Sequence, residues 1–311
     1  MIEPTASCKG GVLRRDGRVS GLVRILILTS ISVIGAGACA GRHVEGSGSS
    51  PAAINEFNGL QGPTRDVTVT LKEGTNLSAS PSPDGKQVAF AAQGAIWIVG
   101  RQGGKARRIT SFDIEATAPV WSPDGKTIAF QNYTADGNYH IWTVNTDGNN
   151  VRELTTGPYD DREPAWHPNG AEIVFSSDRS NDGQYKIWRT IVGTGVSTPV
   201  TTGPGAESNP VVSPNGKEVV FSNSSSIYTV PLSGGSPKLI GPGTIPAYSE
   251  DGNEFIFQTA GRVLTVQGNA VSGTEDVFPF PVRWLPDGKF MYTSDGKIRT
   301  RDAAGHNLEE I

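Results

Sequence analysis

The chain has 311 residues, a formal net charge of −4 and 36% hydrophobic residues, with Trp, Phe and Tyr spread along its length. Glycine (39) and proline (21) reach about 19% of the chain against a usual ~12%, and charged residues are only 19%. That balance excludes a helical bundle and a disordered chain, and it provides no basic field for non-specific nucleic-acid binding. In chain order, the first feature is a basic stretch with Arg14, Arg15, Arg18 and Arg24, followed by the apolar run Ile25–Ile34. A run of this length is too short to span a bilayer and has the length of a signal-peptide core.

Small residues follow at Gly35-Ala36-Gly37-Ala38, and then Cys39. A small residue before a cysteine resembles the bacterial lipoprotein box, which implies lipidation of Cys39 as the mature N-terminus. The alternative is an ordinary signal peptide cut near Ala40. In both cases residues 1–40 direct the chain out of the cytoplasm. Cys8 lies in the basic region and Cys39 at the cleavage site, so the body has no disulfide framework and no thiol nucleophile. Residues 41–65, with Gly46-Ser-Gly-Ser-Ser-Pro51, read as a flexible tether.

From residue 66 to 311 one turn recurs: Ser82-Pro-Asp-Gly-Lys86, Ser122-Pro-Asp-Gly-Lys126, His167-Pro-Asn-Gly-Ala171, Ser213-Pro-Asn-Gly-Lys217, Ser249-Glu-Asp-Gly-Asn253 and Leu285-Pro-Asp-Gly-Lys289. Proline presets φ for a turn and Asn/Asp-Gly tolerates positive φ, so each copy predicts a hairpin. Its six glycines recur at intervals of 36 to 46 residues. Each interval holds four apolar segments, as in Ala118–Trp121, Thr127–Phe130, Tyr139–Val144 and Val151–Leu154. A lone four-stranded sheet leaves both faces bare, and sheets set radially cover one another. The expected fold is therefore all-β, a six-bladed β-propeller of four-stranded antiparallel blades. Trp97, Trp121, Trp142, Trp166, Trp188 and Trp284 fall in the first and third strands and are expected in the core. Val67–Leu71 is expected at the outer edge of blade six, and Ile311 aligns with the outer strand of that same blade.

The repeats resemble those of TolB-like (WD40-like) bacterial propellers. Leu71–Gly85, Asp160–Trp166, Ser176–Arg179 and Trp284–Gly296 also resemble propellers fused to metal-dependent amidohydrolases. The TolB-like resemblance implies a cell-envelope setting with a protein or peptide partner; the resemblance to the fusions implies, as the alternative, the accessory half of such a hydrolase. The chain holds no His-x-His metal pair and no Gly-x-Ser-x-Gly nucleophile motif. Gly103-Gly-Lys105 and Gly234-Gly-Ser236 read as hairpin turns. Asn145–Asn149 is half of a calcium loop with its glycine misplaced, and reads as a satisfied turn. No catalytic residue, cofactor or metal is therefore assigned, and contact with a membrane is expected only through Cys39.

The segments that cross from one blade to the next end at the innermost strands and ring the channel mouth. They carry the candidate binding residues Asn76, Glu115, Asp160, Asp161, Arg162, Glu163, Glu207 and Asn209. One reading is an acidic collar for a cation or a basic segment; the other is loop charges that are solvated or paired with each other.

Overall fold

In the computed structural model the recurring turn is held by its own side chains. Ser82 Oγ donates to Asp84 Oδ1 at 2.6 Å and accepts from the Gln87 amide at 2.9 Å. The Gly85 amide closes on the Ser82 carbonyl at 2.8 Å. Gly85 has φ +69°, and a Cβ there would sit 3.0 Å from Pro286 Cδ of the last blade, so glycine is required twice over. The same pattern recurs at Ser122/Asp124, Ser213/Asn215 and Ser249/Asp251. His167 replaces the serine once, and its Nε2 reaches the Gly216 carbonyl of the following turn at 3.0 Å.

The structure describes residues 74, 77–180, 182–249, 251–259, 263–266 and 268–311. They belong to one unit, Thr70–Ile311. Cys39, Asn76, the expected signal and tether, and Val67–Leu71 lie outside the described residues. Six four-stranded antiparallel sheets are formed among the described residues, each from four strands consecutive in sequence. The innermost strands are β1 (Ser78–Pro81), β5 (Glu115–Trp121), β9 (Asp161–Trp166), β13 (Glu207–Val212), β17 (Thr244–Tyr248) and β21 (Arg283–Trp284). The second strands are β2 (Gln87–Ala92), β6 (Thr127–Tyr133), β10 (Glu172–Ser177), β14 (Glu218–Asn223), β18 (Phe255–Thr259) and β22 (Lys289–Ser294). The third are β3 (Ala95–Gly100), β7 (Tyr139–Asn145), β11 (Lys186–Ile191), β15 (Ser226–Pro231), β19 (Val263–Val266) and β23 (Lys297–Asp302). The outer strands are β4 (Arg107–Arg108), β8 (Arg152–Glu153), β12 (Ser197–Pro199), β16 (Lys238–Pro242), β20 (Asn269–Ala270) and β24 (Glu309–Glu310). The expected all-β six-bladed propeller is what the chain forms.

The second strands carry the core, because they are covered on both faces. Phe130, Phe175, Phe221 and Phe290 are fully buried there, each worth about 1.5–3 kcal/mol relative to exposure. The tryptophans also join blades by hydrogen bonds. Trp121, Trp166 and Trp284 donate their indole N–H to the preceding blade, at the carbonyls of Ser80 (3.0 Å), Val120 (3.1 Å) and Tyr248 (2.6 Å).

The ring closes where blade six meets blade one. Leu77 and Val88 pack with Leu285, Met291 and Ile298, the Gly74 amide reaches the Gly296 carbonyl at 3.0 Å, and Arg101 pairs with Asp287 at 2.7 Å. At the outer edge of blade six, β24 from the C-terminal segment pairs with β23.

A second repeated device lies where the outer strand ends in four of the blades. The hydroxyls of Thr110, Thr155, Thr201 and Ser272 accept the third-strand amides of Ile96, Ile141, Ile187 and Leu264, each at 2.9 Å. All four hydroxyl-bearing residues are buried, so an amide deprived of this acceptor has no water to turn to. Thr155→Val keeps the side-chain shape and removes the acceptor. It should cost about 1–3 kcal/mol, read as a lower urea midpoint at unchanged slope, whereas Thr155→Ser should recover most of the loss.

Candidate binding site at the channel mouth

Four innermost strands contain an X-Pro pair at the same place: Ala118-Pro119, Glu163-Pro164, Asn209-Pro210 and Ile245-Pro246. The strand register shifts at each of them, so each is a β-bulge with one extra residue. Ala118, Glu163, Asn209 and Ile245 sit at φ +51°, +59°, +53° and +52°, a left-handed backbone costing about 1–3 kcal/mol for a non-glycine residue. Proline suits the next position because a bulge frees it from donating to the ladder.

The amide of each left-handed residue is then taken up by a side chain of the preceding blade. Ala118 N donates to Ser78 Oγ (3.0 Å), Glu163 N to Gln131 Oε1 (2.8 Å), Asn209 N to Glu163 Oε2 (2.5 Å) and Ile245 N to Ser222 Oγ (2.9 Å). Three of the bulges, at Ala118, Glu163 and Asn209, surround a cavity of about 120 Å³ on the channel axis. Its wall includes Ser78, Ala118, Glu163, Asn209, Phe280 and Arg283.

The sequence-derived candidates fall into separate settings. Glu115 is exposed at the start of β5 and is paired in register with Tyr133. Asp160 is the centre of a polar knot: it accepts from Arg162 Nε (2.8 Å), from the Tyr185 hydroxyl (2.5 Å) and from the Tyr139 amide (2.9 Å). Burial alone would raise the Asp160 pKa, but these donors outweigh it and hold the carboxyl below its usual range. Burial and the Asp160 carboxylate raise the Tyr185 hydroxyl. Arg162 lies over the Tyr139 ring at 4.8 Å, and Tyr139 in turn meets Tyr133 at 5.1 Å.

Glu163 and Asn209 are joined through the bulge, with Ser176 Oγ also donating to Glu163 at 2.5 Å. Burial pushes Glu163 up despite these donors. Glu207 is set apart: it is buried, accepts from the Thr201 hydroxyl and from the Ile187 amide, and is also raised by burial.

Asp161 is fully buried and pairs with Arg179 at 2.5 Å. Its neighbour His140 is 2% exposed, with Nε2 3.1 Å from Asp136 and Nδ1 3.7 Å from Asp161. Asp161 Oδ1 and His140 Nδ1 have no hydrogen-bond partner among the described residues. Burial opposes the charge on His140, but the Asp161 and Asp136 carboxylates outweigh it and bring the imidazolium up to about 9. In the expected half calcium loop, Asp147 accepts the Asn149 amide at 2.9 Å, the bond of an ordinary turn.

Charge counting along the loops therefore did not reveal which carboxylates reach solvent, and it left out the tyrosines. Tyr133, Tyr139 and Tyr185 stand at the turns between second and third strands, on the same face as the crossing segments. Their recurrence beside those turns was the available signal.

A ring of four-stranded sheets around an axial cavity, with loops gathered on one face, defines a β-propeller whose exposed chemistry lies at the channel mouth. The profile of the TolB beta propeller domain family (PD40) matches residues 61–260, and the chain belongs to that family. Among solved structures, a TolB-type protein from Agrobacterium tumefaciens superposes with a TM-score of 0.52 at 22% identity, covering 75% of this chain and 79% of that one. TolB from Acinetobacter baumannii gives 0.51 at 19% identity, covering 74% of this chain and 52% of that one. Among curated proteins, the uncharacterized peptidase YuxL of Bacillus subtilis (strain 168) is 37% identical over 70 residues, 20% of this chain and 10% of its own length. The chain thus spans a tenth of that relative and about half of the Acinetobacter protein.

The His140 cluster carries a pH dependence. A group whose pKa is raised on folding, here from 6.5 to about 9, contributes its full stability below about pH 6.5 and loses it as pH rises through about 9. The urea midpoint should therefore fall between pH 6.5 and 9.5. His140→Gln, which leaves Asp136, Glu153, Asp161 and Arg179 in place, should flatten that fall; an unchanged slope would show that His140 is neutral in the fold.

Proposed function

We propose that this protein is an exported, non-catalytic binding module of a bacterial cell envelope, docking a protein or peptide partner on its crossing-loop face. The observation that carries this reading is the cluster of Glu115, Tyr133, Tyr139, Arg162 and Tyr185 at the mouth of blades two and three. Tyrosine and arginine dominate binding hot spots, since both offer large contact area with a polar end. The rest of the face adds to it: Phe112, 56% exposed, stands in the crossing before β5 with Arg108 over its ring at 3.9 Å. A rigid ring holds these loops in fixed relation, so docking costs little ordering of the scaffold. Membership of the TolB propeller family and the Arg-rich, apolar N-terminal segment support the envelope setting.

The triple change Asp160→Asn, Asp161→Asn, Glu163→Gln would break a buried ion pair and a bulge contact as well as surface charge, so it is not a clean probe of binding. A photo-crosslinking residue at Tyr133 is cleaner. It should give discrete adducts in the envelope fraction, while one at Lys105, exposed in a turn of the opposite face, should give none. Arg162→Ala should reduce the Tyr133 adducts about tenfold, a hot-spot loss of roughly 1.4 kcal/mol; equal adducts from both faces would refute the assignment. The anchor is tested separately: Cys39→Ser should move the chain from the membrane to the soluble fraction, and continued membrane association would remove the lipoprotein reading.

A further inference from the structure

The six innermost strands are repeats of one another, so a residue can be compared with its five counterparts. Five residues before the turn glycine stand Ser80, Val120, Ala165, Val211, Ala247 and, in blade six, Arg283. Five of these are small or aliphatic, and Val120, Val211 and Ala247 pack in the apolar clusters of their blades. Blade six alone places a long cation there, and its side chain lines the axial cavity.

Every other charge on that wall is spoken for. Arg162 is held by Asp160, with contacts at 2.8 Å and 2.5 Å. Glu163 accepts from Ser176 Oγ and the Asn209 amide. The Arg283 guanidinium has neither a hydrogen bond nor an ion pair among the described residues, and desolvation alone lowers its pKa, to about 10. A guanidinium that is half-buried and has no counter-charge keeps its full capacity to bind an entering anion. The remaining wall is uncharged, with Pro119, Pro164, Pro210, Pro281 and Phe280 beside Ser78, Gln131 and Asn209.

We propose that the axial cavity is an anion site in which Arg283 anchors a single carboxylate. A carboxylate fits the guanidinium fork through two parallel hydrogen bonds, and one negative charge balances the one uncommitted cation. A phosphate brings nearly two charges into a wall that already holds Glu163, so it is disfavoured. The carboxylate belongs either to the C-terminus of a partner chain entering from the mouth or to a free small acid. The site depends on the ring geometry and not on the crossing-loop cluster, so failure of Tyr133 crosslinking would leave it standing.

Isothermal titration of the full chain separates these sources with three probes: acetate, an N-acetylated dipeptide with a free carboxylate, and the same dipeptide amidated. Binding of the free-acid dipeptide at least tenfold tighter than its amide is expected. If the dipeptide also exceeds acetate tenfold, the natural anion is a chain terminus; equal binding makes it a small acid. Arg283→Met should abolish binding while leaving the melting temperature equal to or above that of the parent, since an unpaired cation is removed. Arg283→Lys, which keeps the charge without the fork, should retain weakened binding, and it carries the test should the methionine variant fold poorly. Lys105→Met should bind as the parent does. No carboxylate binding by the parent at 10 mM probe (on the order of 3 kcal/mol or less), tighter binding of inorganic phosphate, or undiminished binding by both Arg283 variants would each overturn the proposal.

Discussion

A backbone amide that turns out of its own sheet must find an acceptor elsewhere or leave a buried donor unsatisfied. At the four X-Pro bulges that amide points to the neighbouring blade, and Ser78, Gln131, Glu163 and Ser222 each stand one blade back to receive it. The strained conformation of Ala118, Glu163, Asn209 and Ile245 persists because the adjoining blade completes it. Blade-to-blade packing is therefore specified by directional hydrogen bonds at the axis as well as by the apolar faces farther out. The indole bonds of Trp121, Trp166 and Trp284 run in the same sense, each from one blade to the preceding one.

The bulges also decide which polar side chains remain for binding. Glu163 is both a left-handed residue, donating its own amide to Gln131, and the acceptor for the next blade's amide at Asn209. Its carboxylate is part of the scaffold. Asp161 and Glu207, at the first positions of β9 and β13, are consumed in the same way by Arg179 and by Thr201 with the Ile187 amide. What faces the solvent at the mouth is then less acidic than the loop sequences suggest. It is a surface of tyrosine and arginine, with Glu115 at its border.

The architecture was legible in the sequence because its signals are local. Ser-Pro-Asp-Gly carries all the atoms that close its turn, from Ser82 Oγ to the Gln87 amide, and the second-strand motif ending at Phe130, Phe175 and Phe221 is apolar on both sides as a doubly covered strand must be. The site was less legible because many of its bonds join residues more than 20 positions apart, such as Gln131 with Glu163, 32 apart, or Glu163 with Asn209, 46 apart. Asp160 and Asp161 are adjacent and chemically identical, yet the alternation of a strand turns one toward the Tyr139–Tyr185 knot and the other into the interior beside Arg179. Arg283 is an ordinary single charge in the sequence, and its meaning appears only when the blades are laid over one another.

The proline that follows each bulge has a further effect. The inner edge of a propeller blade is an open strand edge facing a channel, the kind of surface that recruits an added strand. Pro119, Pro164, Pro210 and Pro246 remove one donor from each of four such edges, and the bulges break the spacing of those that remain. At these four edges a polypeptide threading the axis finds no continuous ladder to extend. What meets them must be recognised by its side chains or its terminus, and it is free to leave without unzipping a sheet.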